Sequence, residues 1–488
     1  MLLARLAGPV AAGGLALLLV ASPRWARLVG FAGALVGMGL FVPLLVPARA
    51  SGLLLAGGGL VALGLAVALA FLFQKQPWAL PLLALLAAPA RIPIPVGGET
   101  NNLLLPLYAI VGGATVSLGW GLWRSPPRSR EFGVLSWPLA AFGSWIGLSM
   151  AWTNDPSRGA VEMLAFYLPF GLLALAIVRL DWDARAVTWL FRLLLAMAAL
   201  FASVGIGQWA TRSVFWNPNL KADNTFATFY RVNSLFYDPS IYGRFLVVAL
   251  LVALAVLVFG PWRRYDVLLT LAVALLWIGL FLSFSQSSFL ALIMGVLVAC
   301  VLRWRRGAPA VAGAAAVLAL ALGMAFSHPV GTRQALDSSS EQGLNRATRG
   351  RFDLVKNGLR IALDHPVVGV GVGGFTKAYR ARVALPPRAK TPASHTTPVT
   401  VAAEAGIVGL GLFGWLVVTG ALVPFSSTGA RVPIVSGAGV ASGLALTGIF
   451  VHSLFYNALF EDPLTWGFLA LATLAARRSG EANDPARV

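Results

Sequence analysis

Stretches of 16 to 26 mostly apolar residues recur along nearly the whole of this chain, and no other feature restricts its fold as severely. About 20 apolar residues in helical form cross the roughly 30 Å of hydrocarbon in a bilayer. Lipid offers the backbone no hydrogen-bond partner, so a crossing segment is either a helix or a strand of a closed barrel. Barrel strands are short and alternate apolar with polar side chains, a pattern absent here. Residue usage agrees: 58% hydrophobic and 11% charged residues cannot cover a water-facing surface, where soluble domains carry about 25% charge. The predicted fold class is all-α, a polytopic transmembrane helical bundle of about 13–15 spans with one large extracytoplasmic segment.

The predicted organisation has N-terminal transmembrane helices over 1–210 and central transmembrane helices with polar loops over 211–326. An extracytoplasmic loop domain over 327–397, C-terminal transmembrane helices over 398–478 and a polar cytoplasmic tail over 479–488 follow. The predicted spans include 78–96, where the prolines from Pro77 to Pro95 suggest a broken or re-entrant piece, and 309–326. Met1 to Ala21, with Arg5 ahead of an apolar run, is compatible with a signal peptide, but further spans follow at once and it is read as the first helix.

Basic clusters orient the bundle. Arg24 and Arg27, Arg124 to Arg130, Arg179 and Arg185, Arg263 and Arg264, Arg303 to Arg306, and Arg477 and Arg478 all fall on one side when the spans alternate. The Lys/Arg bias makes that side cytoplasmic. It also accounts for part of a net charge of +19 that in a soluble protein would suggest nucleic acid; no nucleic-acid partner is expected. The opposite face collects 97–102, 153–159, 211–238, the turn at Gln286, 327–397 and 453–462, which hold nearly all the unusual polar residues. The working face is predicted to look away from the cytoplasm.

Ionisable residues lie near span ends rather than at mid-membrane, where ion-coupled transporters place them. Cys300 is the sole cysteine, which excludes disulfides within the chain and CxxC metal sites. No HExxH, Asp-rich motif or Cys cluster suggests a metal. The run Gly369 to Gly374 imitates a nucleotide-binding fingerprint, yet no strand precedes it and no helix of the required type follows, so it reads as a turn. In the segment before it, Phe352, Val355, Leu359 and Leu363 recur at helical spacing with Arg349, Arg351, Lys356 and Arg360 between them, predicting an amphipathic helix along the outer surface of the bundle.

His395, just before a span, carries an imidazole able to take a proton from a hydroxyl near neutral pH; on the bare residue a solvated loop histidine is the more ordinary reading. Glu404 follows about two helical turns into the same span. Arg231, with Asp238 and Arg244 after it, and the pair Arg349 and Arg351 could hold phosphate or diphosphate oxygens, or could anchor the chain among lipid headgroups.

Taken in order, RVNSLFYDPSIYGRFL (231–246), LSFSQSSFLAL, RGRFDLVKNGLRIALDHPVVGVGVGGF and SHTTPVTVAAEAGIVGLGL resemble the O-antigen ligase and O-antigen polymerase superfamily over roughly the second half of the chain. The resemblance implies a bacterial inner-membrane glycosyltransferase with its active face extracytoplasmic. Such an enzyme passes a glycan from a polyprenyl-diphosphate carrier to a hydroxyl of lipid A-core or of another carrier-linked glycan, with inversion and without metal or other cofactor. The partners implied are that donor, a glycan or glycolipid acceptor, and membrane lipids. His395 occupies the position of the acceptor-activating histidine. The diphosphate-holding arginines carry over to Arg231 and to Arg349 or Arg351. Where the family has Thr/Ser-x-Ser-Arg-Gly, this chain has Ser283, Phe284, Ser285, Gln286 and Ser287, so Arg244 is expected to supply the missing charge unless the donor is held differently. Gln286, Asp238 and Glu404 are the expected supporting residues. A transporter of polysaccharide or lipid-linked glycan would share the size, the helix count and a basic cavity.

Overall fold

The computed structural model describes residues 2–45, 52–96, 99–124, 131–227, 229–260, 266–304, 345, 350–385, 394–429 and 433–482. Apolar sequence becomes helix almost throughout, because a helix satisfies its own backbone polar groups. The N-terminal helices are α1 (Leu2–Val20), α2 (Arg24–Leu45), α3 (Gly52–Lys75), α4 (Ala79–Ala87), α5 (Leu105–Arg124), α6 (Ser136–Ser149), α7 (Pro156–Glu162), α8 (Leu168–Val178) and α9 (Ala184–Thr211). A single π-helical turn, Met163–Tyr167, joins α7 to α8. The central helices are α10 (Pro218–Phe226), α11 (Pro239–Phe259), α12 (Asp266–Ser283) and α13 (Gln286–Arg303). They are followed by α14 (Arg351–Asp364), α15 (Phe375–Arg382), α16 (Thr397–Leu422), α17 (Pro433–Ser453) and α18 (Pro463–Ala482).

Among the described residues nine helices are long and apolar enough to cross a bilayer, and shorter apolar helices lie at Arg5–Val20, Gly437–Ser453 and Pro463–Leu474. The expected span 309–326 lies outside the described residues. The expected span 78–96 is not a continuous helix: α4 ends at Ala87, and β1 (Ile92–Val96) pairs antiparallel with β2 (Glu99–Leu103). Pro89, Pro93 and Pro95 explain the break, since proline lacks the N–H that a helix or an inner strand requires.

One buried ionic knot closes the end that carries the basic loops. Glu131, 2% exposed, receives Arg27 at 2.6 Å and also Arg179, tying α2 and α8 to the segment ahead of α6. At the opposite end, four helices open on an acidic or amide residue followed by proline: Asp155-Pro156, Asn217-Pro218, Asp238-Pro239 and Asp462-Pro463. Each capping side chain accepts a backbone N–H from the first turn, Asp238 from Ser240 at 2.6 Å and Asp462 from Leu464 at 2.9 Å, while proline occupies the first helical position, whose N–H has no helical partner.

The Gly-rich run forms a clasp at this second end. α16 is kinked at Gly406 (φ 66°, ψ −166°), and the loop threads into the break. Val370 and Gly371 donate to the carbonyls of Ala403 and Glu404 at 2.9 Å, and Ile407 donates to Pro366 at 2.8 Å. From its other side Thr153 Oγ1 donates to Val372 O at 2.8 Å, and Ser149 Oγ accepts from Val372 N at 3.0 Å. Gly371 (φ 86°) lies so near the Thr153 backbone that a Cβ would collide with it. Packing, not nucleotide, accounts for these glycines. The clasp seats a small second core of Leu354, Ile361, Val370, Phe375, Tyr379 and Ala403 on α16.

Candidate active site

Three loops meet at the clasp end. The first, 231–238, is shaped by Gln208, buried at the end of α9: its Oε1 accepts from Asn233 N at 3.2 Å and Ser234 N at 2.8 Å, and its Nε2 donates to Ser234 O at 2.9 Å. Asn233 Nδ2 closes the turn on Phe236 O at 2.5 Å. The second loop joins α12 to α13. It is fastened to the first by Val232 N donating to Leu282 O at 3.1 Å and by Arg231 Nε donating to Ser283 O, also at 3.1 Å. The third, 394–396, leads into α16 and is turned by Ser394 Oγ, which donates to Thr396 O at 3.0 Å.

Backbone conformation marks the same three places. Among the described residues, five non-glycine residues have positive φ: Arg212, Ser234, Phe284, Ala384 and His395. Ser234, Phe284 and His395 fall one to each loop. A left-handed L-residue costs roughly 1–2 kcal/mol, and such strain persists where the surroundings over-determine it, commonly at functional sites.

His395 (φ 59°) is half-buried. Burial lowers its pKa below the ordinary imidazole value; the Arg351 cation lowers it further, and the Asp238 carboxylate opposes both. The histidine therefore lies within electrostatic reach of the N-terminus of α14 and of the cap of α11, elements far apart in sequence. Arg351 is exposed and opens α14 directly after Gly350, whose φ of 82° turns the chain into the helix. Gln286, the first residue of α13, is exposed as well. Arg349 lies outside the described residues.

Two expected residues stand behind this surface rather than on it. Arg244, expected to supply the missing family cation, is 1% exposed; it donates to Ala458 O at 3.1 Å and pairs with Asp462 at 2.7 Å. Its charge is spent on holding the turn between α17 and α18. Glu404 is buried too, its Oε1 accepting from Phe375 N at 3.0 Å, so it anchors the clasp. His452, which in the sequence closes a helix near Glu461 and Asp462, is fully buried at the end of α17, with its Nε2 3.1 Å from Ser287 Oγ.

With this geometry in hand, residues 271–414 match the family described as O-antigen ligase. That stretch is similar to an O-antigen ligase domain. The match runs from α12 to the middle of α16, so the matched stretch holds Gln286, Arg351, the Gly-rich loop of the clasp and His395, whereas Arg231, Asp238 and Arg244 precede it and Asp462 follows it. No curated protein matches the chain. The chain is a multi-pass membrane protein that is similar over this stretch to the O-antigen ligase family, for which lipid-linked glycans are the implied substrate class.

Proposed function

We propose that this protein transfers a glycan from a polyprenyl diphosphate to an acceptor hydroxyl, with His395 as general base and Arg231 and Arg351 as the diphosphate clamp. The reading is supported by a half-buried, left-handed His395 whose imidazole feels the charges of Arg351, at the start of α14, and Asp238, at the cap of α11, together with a loop in which Arg231 is fixed against Ser283. An imidazole whose pKa is lowered is unprotonated at neutral pH, as a base must be. In the proposed step His395 takes the hydroxyl proton while the acceptor oxygen bonds to the anomeric carbon. The bond from that carbon to the diphosphate oxygen breaks, and its electron pair leaves with the polyprenyl diphosphate. A single displacement of this kind inverts the anomeric centre. Guanidinium groups oppose the charge that grows on the departing oxygen, the stage at which electrostatic stabilisation lowers the barrier most.

Gln286 stands at the N-terminus of α13, where backbone N–H groups offer partial positive charge to an anion. We assign it a neutral hydrogen-bonding part in the clamp, and Asp238 the task of holding His395 in orientation. The site lies at the end opposite the basic knot, and the Lys/Arg bias then sets it on the extracytoplasmic side of the inner membrane. Purified protein in liposomes with a prenyl-diphosphate glycan tests the reading. New glycosidic bonds to an acceptor, without net passage of glycan across the bilayer, are expected. Passage without bond formation would replace the enzyme with a transporter.

A further inference from the structure

The face of α14 that packs on the protein is not the one its sequence pattern advertises. Leu354, Gly358 and Ile361 are buried, against Val399 of α16 and the ring of Phe375. The C-terminal half of the apolar stripe is left open, Leu359 47% and Leu363 75% exposed, while Phe352 and Val355 are half-buried. α14 is therefore apolar on two faces.

The open stripe does not end with the helix. Val367 and Val368, in the turn that follows, are exposed, and they lie directly against α16, since a Cβ on Gly406 would strike the Val367 carbonyl and Ile407 N reaches Pro366 O at 2.8 Å. From Ile407, 62% exposed, the apolar surface continues down α16 through Trp415, Val418 and Leu422, positions that share one helical face. α16 is among the helices long and apolar enough to cross a bilayer, and an exposed apolar face on such a helix is the side that would meet lipid. Two tryptophans mark the level at which the stripe passes from α16 to the turn. Trp145 Nε1 donates to Ala405 O at 2.9 Å and Trp152 Nε1 donates to Val368 O at 3.2 Å, and indoles favour the membrane–water boundary. Arg360 is exposed at the edge of the stripe, where its aliphatic stem can cover apolar surface while the guanidinium reaches the headgroups.

We infer that the open face of α14 and the Val367–Val368 turn are seated in the bilayer leaflet at the clasp end, making this helix an interfacial element continuous with the lipid-facing side of α16. The occupant is bilayer lipid rather than a second protein, because the patch is one unbroken extension of a surface that already faces lipid. The inference rests on the membrane-spanning fold and not on the proposed chemistry.

The test uses the full chain with Cys300, its sole cysteine, replaced by alanine. Leu359→Cys, Leu363→Cys, Val367→Cys and Asp364→Cys are made singly, labelled with a nitroxide and reconstituted into phosphatidylethanolamine–phosphatidylglycerol vesicles. Accessibility to oxygen, which concentrates in hydrocarbon, is compared with accessibility to a water-soluble nickel chelate. Labels at 359, 363 and 367 are expected to favour oxygen, and the label at 364, on the polar side, to favour nickel. Nickel accessibility at 363 equal to that at 364 overturns the inference by placing the face in water. Protection of 359 and 363 from both reagents overturns it too, by placing protein over the stripe.

Discussion

A general base works only while its nitrogen is free of a proton, so the charges around His395 should be visible in the pH dependence of the reaction. Burial and Arg351 disfavour the imidazolium and Asp238 favours it, for a net lowering from the ordinary value. Activity should thus persist to lower pH than an unperturbed histidine would allow, falling as pH drops through the lowered value. Arg351→Ala removes a repelling cation, which raises that pKa and moves the acid limb of kcat/KM to higher pH. Asp238→Asn removes an attracting anion and moves the same limb to lower pH. Shifts in the opposite senses would contradict the assignment of His395. His395 and Asp238 were singled out in the sequence because each is polar and precedes a long apolar run, and Arg351 because it opens an amphipathic one. Arg244 was misjudged for a physical reason: its partner Asp462 lies on the last helix, and nothing local to Arg244 announces a carboxylate brought in by tertiary folding.

Among elements, the clasp and the basic knot do the positioning. Gly406 adopts a conformation open essentially only to glycine, costing any other residue roughly 1–3 kcal/mol, and its missing Cβ makes room for the Val367 carbonyl. Gly406→Ala is expected to loosen the clasp and speed trypsin cleavage at Arg360 or Lys377, whereas Gly411→Ala, made in open space on the same helix, should leave cleavage unchanged. Equal cleavage in both variants would remove the clasp as a positioning device. At the other end, Glu131→Ala would leave Arg27 and Arg179 facing each other without their shared carboxylate. Breaking a buried ion pair costs roughly 3–5 kcal/mol, so the unfolding midpoint in detergent should fall clearly; an unchanged midpoint would mean the knot contributes nothing. Element boundaries were readable where apolar runs meet turn residues: α11 and α12 begin and end where the hydropathy does. At 78–96 the prolines signalled a broken piece, but where α4 ends at Ala87 and the β1–β2 hairpin that follows were not readable, because hydropathy alone does not distinguish them from a crossing. The seating of α14 was missed because its buried face is built around Gly358, which contributes fit rather than hydrophobicity.

For the molecule as a whole, alternation of spans sorts the polar residues into two ends with different work. Arginines bound to a buried glutamate lock the end with the basic loops, while capped helix starts, three left-handed loop residues and the clasp shape the other. That division was visible in the sequence through the basic clusters, since the parity of crossings needs no tertiary knowledge. The meeting of His395 with Asp238 and Arg351 was not, because spacing along the chain says nothing about which loops adjoin at one end of a bundle. The central claim is that this meeting forms a catalyst. The measurement that tests it most directly is single-turnover glycan transfer by purified, membrane-reconstituted protein carrying His395→Ala, with donor binding measured in parallel. The account predicts a rate lowered about 10²- to 10⁴-fold, the usual contribution of a general base, with donor affinity unchanged; transfer at the wild-type rate would contradict it.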